Sequence, residues 1–238
     1  MPTALVTGGG IRIGRAICLA LGRAGYDVVV HANRSVAAAQ EVVRELAALG
    51  RGARVEQVDL STPDGPQSLG QRLDRLDLLV NNAAAYEHAA FRDITPEQLE
   101  RMLAVNVRAP FLLTQAVLPL LEASGQGAVV NVTDMAVSRA YTATHFFSHY
   151  LASKAALEQL TRALALELGP KVRVNAVAPG PVAIAAETTP AQRADMLARL
   201  PLGREGSPAD VAEAVVYLAR AAYVTGQTIR VCGGLSIA

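Results

Sequence analysis

Apolar runs with no polar alternation recur along the chain, and each is followed by a stretch whose apolar residues fall at helical spacing. Residues 4–6 (ALV) form the first run, and Ile13, Ala16, Ile17 and Leu21 follow on one helix face. Residues 26–31 (YDVVVH) predict a second strand, and Ser35 a helix N-cap opening a helix to about residue 49. A third strand is predicted over 54–60, a helix from Pro63 to about 75, and a fourth strand over 76–80. Helices are predicted over 95–105 and 108–121, with Asn106 at their junction, then a strand over 128–132. A helix over 150–168, a strand over 172–177, helices over 188–200 and 208–219, and a strand over 228–231 complete the pattern. Strands without a polar face are strands covered on both sides. The alternation therefore predicts an α/β fold: one doubly wound parallel sheet of about seven strands, Rossmann-like, with helices on both faces and a single domain over 1–238.

Composition narrows the function classes. A chain of 238 residues buries roughly 70–75% of its unfolded surface, so it needs no disulfide or metal staple. Its two cysteines, Cys18 and Cys232, form no disulfide framework and predict a reducing compartment. The net charge of +1 gives no general attraction to nucleic acid or anionic lipid. No signal-like start is read, nor an apolar run approaching about 18 residues, and the expectation is a cytoplasmic protein with no membrane partner. Arginine supplies 20 of the 22 basic residues, so Lys154 and Lys171 stand out.

The candidate chemistry begins at residues 7–14 (TGGGIRIG), where the first strand enters a glycine-rich turn and leaves as a helix. Gly8, Gly9 and Gly10 permit close backbone approach to a ligand, and the first-turn amides at Arg12 and Ile13 point at whatever lies over them. A pyrophosphate suits that position. Arg12 stands where the helix dipole disfavours a cation, and an anionic cofactor or substrate would compensate. At the second strand end an acidic residue would select NAD through the ribose hydroxyls. Here stand His31, Arg34 and Ser35, whose donors and charge suit the additional phosphate of NADPH. Equally, Ser35 is an ordinary N-cap and Arg34 a solvated charge. Asp59 either meets an adenine amino group or starts a turn. Asn82 and Ala83, with two further alanines, let the backbone pass close to a planar ligand.

Tyr150 and Lys154 are four residues apart and share a helix face. A tyrosine and a lysine this close make an acid–base unit, because an ammonium stabilises phenolate; bringing a phenol near neutrality needs about 3–4 kcal/mol. His145 and His149 share the same spacing, but no third ligand of suitable spacing accompanies them, and no metal site is expected. Tyr141, Phe146 and Phe147 either line a pocket or pack.

Residues 7–14, Asp59, Asn81-Asn82-Ala83, Asn106, Tyr150 with Lys154, and Pro179-Gly180 together resemble the short-chain dehydrogenase/reductase family over essentially the whole chain. The resemblance implies hydride transfer between a nicotinamide and a carbonyl or imine carbon. Tyr150 would supply the proton, Lys154 would hold the ribose and lower the tyrosine's pKa, and Asn106 would support a relay water. Pro179 and Gly180 would border the cofactor. Arg12, residues 31–35 (HANRS), Tyr86 and Asp134 are most similar to the pteridine reductases, which implies a pterin stacked on Tyr86 and met by Arg12, Asp134 and Tyr150. Asp134 would replace the family's usual serine.

Departures accompany the resemblance. Asp134 and Tyr150 are 16 residues apart, about three more than is usual in the family, and Ser138 is an alternative third catalytic residue. Ala84 and Cys232 also differ from common family residues. The expected activity is NADPH-dependent reduction of a dihydropterin or dihydrofolate; the rivals are reduction of an oxoacyl thioester or other ketone, and a cofactor-sensing protein without turnover. Intact Asn106, Tyr150 and Lys154 argue against the last. The family also implies a homotetramer built through residues 95–121 and 150–168.

Overall fold

In the computed structural model, which describes residues 1–138, 147–182, 184 and 188–238, the apolar runs form seven strands: β1 (Thr3–Val6), β2 (Asp27–Ala32), β3 (Ala53–Gln57), β4 (Leu78–Asn81), β5 (Ala128–Val132), β6 (Arg173–Pro179) and β7 (Thr228–Val231). All pair in parallel, in the order β3-β2-β1-β4-β5-β6-β7. The order reverses direction between β1 and β4. In an open α/β sheet that reversal opens a crevice above the strand ends.

Alternate residues of each strand enter different cores. Leu5, Val29, Leu79, Val129 and Val174 face one side, while Val6, Val30, Val80, Val130 and Val177 face the other. The second side is covered by α1 (Arg12–Arg23), α2 (Val36–Ala48) and α8 (Pro208–Arg220), which bury Ile17, Cys18, Leu46 and Val215 there. The first is covered by α3 (Gly65–Gly70), α5 (Ala109–Ala123) and α6 (Ser148–Leu168), through Leu69, Leu113, Val117 and Ala165. Cys18 is thus a buried small hydrophobe, and burial pushes its thiol far above the ordinary range.

Three elements depart from expectation. The helix expected from Pro63 starts only at Gly65, where the chain crosses so close to the Asp59 carbonyl that a Cβ would lie 2.0 Å from its oxygen. It ends at Gly70, since glycine is a poor helix former. The strand expected to reach residue 60 pairs only to Gln57. The two helices expected around Asn106 are one: α4 (Pro96–Leu103), capped by Thr95 and Gln98, passes through a π-turn (Ala104–Arg108) into α5. This splice makes 96–123 the one described helix that meets the length and apolarity of a membrane span, with a mean hydropathy of 1.4 in its most apolar stretch. The expectation that no apolar segment approaches that length is therefore corrected. One side of it, Leu113, Val117 and Leu121, lies in the core under the sheet. The helix expected over 188–200 is α7 (Pro190–Ala198).

The turn after β1 is packed as closely as the start of α3. A Cβ at Gly14 would lie 2.0 Å from the Gly8 carbonyl oxygen and 2.7 Å from the Asn82 amide nitrogen. Backbone cannot yield there as a side-chain end can. Gly14→Ala is expected to lose roughly 1–3 kcal/mol of stability, read as a lower urea midpoint with an unchanged slope.

Candidate active site

The glycine turn is held from three strands. Thr7 Oγ1 accepts the amides of Asn82 and Ala83, both at 2.9 Å, and donates to the Val80 carbonyl. Asn82 Nδ2 donates back to the carbonyls of Thr7 and Gly8 at 2.9 and 3.1 Å. Gly8 turns with φ of 63°, and Arg12 with φ of 50° is the one described non-glycine residue in that region. A strained residue at a ligand-facing turn is the kind that surrounding structure must hold in place. Helix α1 then begins at Arg12, after the N-cap Ile11, with no side-chain cap and no acidic residue in its first turn. Its leading amides receive no bond from the N-cap side chain and lie beside bare glycine backbone, which fits a diphosphate.

His31 lies beneath that turn and not at the strand end where a phosphate ligand was expected. It is 2% exposed. Its Nδ1 accepts the Gly8 amide at 3.2 Å and its Nε2 meets the Val58 carbonyl at 3.0 Å, which assigns the proton to Nε2. Burial pulls its pKa below the ordinary value, so the ring is neutral and positions the turn. Arg34 is exposed and Ser35 half-buried beyond it. Ser35 does stand at the N-cap of α2, but its side chain makes no capping bond. Asp59 is exposed, and its carboxylate is held below the usual range by the hydroxyl and amide of Ser61, with Asn33 and Arg34 also close.

The reactive groups converge where β5 and α6 meet. Tyr150 is 7% exposed, and its hydroxyl donates to Asp134 Oδ2 at 3.2 Å. Asp134 Oδ1 accepts the Ala136 amide at 2.8 Å. Lys154 is 2% exposed; its Nζ donates to the Val132 carbonyl at 2.8 Å and lies 5.8 Å from the centre of the Tyr150 ring. Burial pushes the Lys154 ammonium down to about 8, against the pull of Asp134. Burial also raises the Asp134 carboxyl. The phenol moves opposite to expectation: burial first, then the Asp134 carboxylate, hold Tyr150 well above its ordinary value. The tyrosine thus carries its proton. Ser138, the alternative to Asp134, donates to the Met135 carbonyl at 2.8 Å.

Asn106 is fully buried on the π-turn. Its Oδ1 accepts the Ala85 amide, and its Nδ2 donates to the Ala85 carbonyl and to Ser153 Oγ at 3.0 and 2.9 Å. Ser153 in turn donates to the Tyr150 carbonyl at 2.6 Å. The side chain is thus committed to scaffold, so any support it lends a relay water cannot use that amide freely. Pro179 ends β6, and Gly180 packs so tightly on Cys232 that a Cβ would lie 2.6 Å from that residue's Cβ.

Tyr86 is 54% exposed and stands edge-on to Tyr150, with centroids 4.9 Å apart. Arg12 and Asp134 both act electrostatically on its hydroxyl, while burial raises it. The structure thus brings together Arg12, Tyr86, Asp134, Tyr150 and Lys154, with the glycine turn beside them. His31 joins through the turn itself, its ring accepting the Gly8 amide and its carbonyl the Gly9 amide. Phe147 meets Tyr86 at 5.0 Å and Tyr150 at 6.1 Å, whereas Tyr141, His145 and Phe146 lie outside the described residues. His149 is buried, and no group of three metal-ligating side chains occurs among the described residues. Sequence reasoning missed Ser153 and His88. The first lies three residues after Tyr150 on the helix, and the second two after Tyr86, and both spacings carry a legible signal.

The family model described as "Enoyl-(Acyl carrier protein) reductase" matches residues 10–236. Short-chain dehydrogenase/reductase FrzI of Cladobotryum sp is 37% identical over 98% of this chain and 95% of its own length. The granaticin polyketide synthase putative ketoacyl reductase 2 of Streptomyces violaceoruber is 40% identical, with 98% and 95% covered. Among solved structures, FolM Alternative dihydrofolate reductase 1 from Brucella canis, complexed with NADP, superposes with a TM-score of 0.88 at 32% identity, covering 100% of this chain and 95% of that one.

The neutral role of His31 has a pH consequence. Its unfolded imidazole takes a proton near 6.5, while the buried ring does so only at lower pH. Between those values the unfolded chain binds more protons, so His31 makes stability fall as pH drops below that point and contributes no slope above it. The unfolding free energy of His31→Gln is expected to fall less steeply than that of the parent from about pH 7 to about pH 5. Equal slopes in urea titrations across that range would reject the assignment.

Proposed function

The chain belongs to the short-chain dehydrogenase/reductase family of oxidoreductases, and from that membership we propose that it reduces the C=N bond of a pterin-type ring, a dihydropterin or dihydrofolate, with NADPH as reductant and Tyr150 as proton donor. The observation that carries the substrate reading is Asp134, whose carboxylate receives the Tyr150 hydroxyl where the family's usual residue is serine. An aminopyrimidine edge offers N–H donors that a carboxylate accepts and a simple ketone lacks. The half-exposed Tyr86 ring adds a stacking face.

NADPH supplies the hydride when bound. Gly8, Arg12 and Ile13 would receive its diphosphate; Arg34 and Ser35 support preference for the phosphorylated cofactor; Asp59, Asn82, Ala83, Pro179 and Gly180 would border it. Tyr150 gives its hydroxyl proton to the substrate nitrogen, and a proton taken up from solvent by the Asp134 carboxylate, whose pKa burial raises, passes to the phenolate and restores the phenol. Lys154 steadies that phenolate from beneath. A second reading, ketone reduction, is favoured by the 40% identity to a putative ketoacyl reductase, with Ser138 in the third role.

We also propose a homotetramer. Leu103 and Phe111 are 38% and 47% exposed on the 96–123 helix, and they border an open groove of about 500 Å³ with Ala104, Val107 and Leu112. A second copy's helix covers such a face. Phe111→Glu is expected to lower the molar mass measured by light scattering to that of a smaller assembly; an unchanged mass rejects this interface.

The substrate test follows loss of NADPH absorbance with dihydrobiopterin, dihydrofolate and an acetoacetyl thioester, each repeated with NADH. Pterin turnover with NADPH preference is expected. Tyr150→Phe should lose roughly 10²–10⁴-fold in kcat and Asp134→Asn at least about tenfold, with Ser138→Ala within about twofold. Thioester turnover alone, with Ser138→Ala the damaging variant, would transfer the conclusion to ketone reduction.

A further inference from the structure

We propose that His88 is a specificity-determining residue: with Phe147 it prolongs the aromatic wall that starts at Tyr86, so that the site selects substrates bearing an aromatic extension beyond the ring or carbonyl that reacts. The inference rests on Tyr150 being the proton donor but not on the reacting group being a pterin.

Three rings form one contiguous surface. The His88 ring centre lies 5.4 Å from that of Tyr86 at an interplanar angle of 84°, and 4.2 Å from that of Phe147 at 48°. Phe147 also meets Tyr86 at 5.0 Å, and of these three rings Tyr86 at 4.9 Å and Phe147 at 6.1 Å are the two that meet the Tyr150 ring. Tyr86 is therefore the inner ring, and His88 lies farther from the proton donor. Both are exposed despite these contacts, so the wall keeps surface for a ligand.

The backbone presents this wall by alternation. Ala85 is pinned at its amide and its carbonyl by Asn106 of the π-turn. Glu87 is pinned by a two-pronged ion pair with Arg101 of α4, both contacts at 2.8 Å. The intervening Tyr86 and the next residue, His88, are left to face the aromatic cluster. A small ketone reaching Tyr150 would touch only the inner ring. A substrate continued by an aryl group would cover His88 and Phe147 too, and edge and offset contacts between rings contribute beyond buried area.

The test measures kcat and KM for two substrate pairs, dihydrofolate against dihydrobiopterin and benzylacetone against acetone, in the parent, His88→Ala, His88→Phe and Phe147→Leu. NADPH affinity and melting temperature serve as folding controls. His88→Ala should raise KM for the extended member by about fivefold, leave its kcat and the short member's KM within about twofold, and be reversed by His88→Phe. Phe147→Leu should reproduce the bias. Equal effects on both members, no effect, or a parent enzyme that favours the short member overturns the inference. Inertness toward both pterins with the bias intact on ketones rejects the pterin reading and retains this one. A protein that turns over neither pair and gains no thermal stability from either extended member rejects both.

Discussion

Everything in the candidate site depends on how two strand ends are tied across the point where the sheet reverses. Thr7 at the end of β1 and Asn82 after β4, with their neighbours Gly8 and Ala83, exchange hydrogen bonds through a hydroxyl, a side-chain amide and four backbone groups. Each contributes only about 0.5–1.5 kcal/mol net, but losing one partner strands the other's buried groups at greater cost. Gly14 closes against the Gly8 carbonyl with no space for a side chain, and His31 props the Gly8 amide from β2. Once β1 and β4 are locked side by side, the crevice above them and the start of α1 have one location. The reactive groups of β5 and α6 then border it because β5 pairs with β4.

The electrostatics of the reactive cluster follow from burial more than from pairing. Tyr150, Asp134 and Lys154 are all withdrawn from water, and withdrawal penalises whichever form is charged. The acid and the phenol therefore rise and the amine falls, each shift led by desolvation. The helix spacing of Tyr150 and Lys154 correctly brings an ammonium near the ring, but a carboxylate from another strand bonds the hydroxyl directly and outweighs it. The phenol and the carboxyl are thus biased toward their protonated forms and the amine toward its neutral one, so the tyrosine enters the reaction with a proton to give.

How much of this was legible in the sequence depends on range. The strands could be read because both faces of the sheet are covered, so Leu5 and Val6 both needed to be apolar although they enter different cores. The glycine turn and the pairing of Tyr150 with Lys154 are local and were readable from spacing. His31 was misread because its burial comes from β3 and Val58, 27 residues away, which convert a polar strand end into an interior prop. The fused 96–123 helix was misread because a π-turn at Asn106 looks like a junction to any pattern of 3.6 residues. The pKa direction of Tyr150 needed Asp134, and the aromatic wall needed Phe147 beside a segment some 60 residues earlier in the chain.

The segment carrying Tyr86 shows how a connection without regular structure gains the precision of a strand. Its odd positions, Ala85 and Glu87, spend their bonds on Asn106 and Arg101, both on the 96–123 helix. That helix can hold Asn106 fully buried because the π-turn adds a residue to the turn and aims the amide at Ala85 and Ser153 together. Ser153 then bonds the Tyr150 carbonyl. One buried amide thus ties the segment bearing the aromatic wall to the helix bearing the proton donor. The spacing of wall and donor is set by that amide rather than by the two rings' own contact, which explains why Tyr86 can remain half-exposed and still stand at a defined angle to Tyr150.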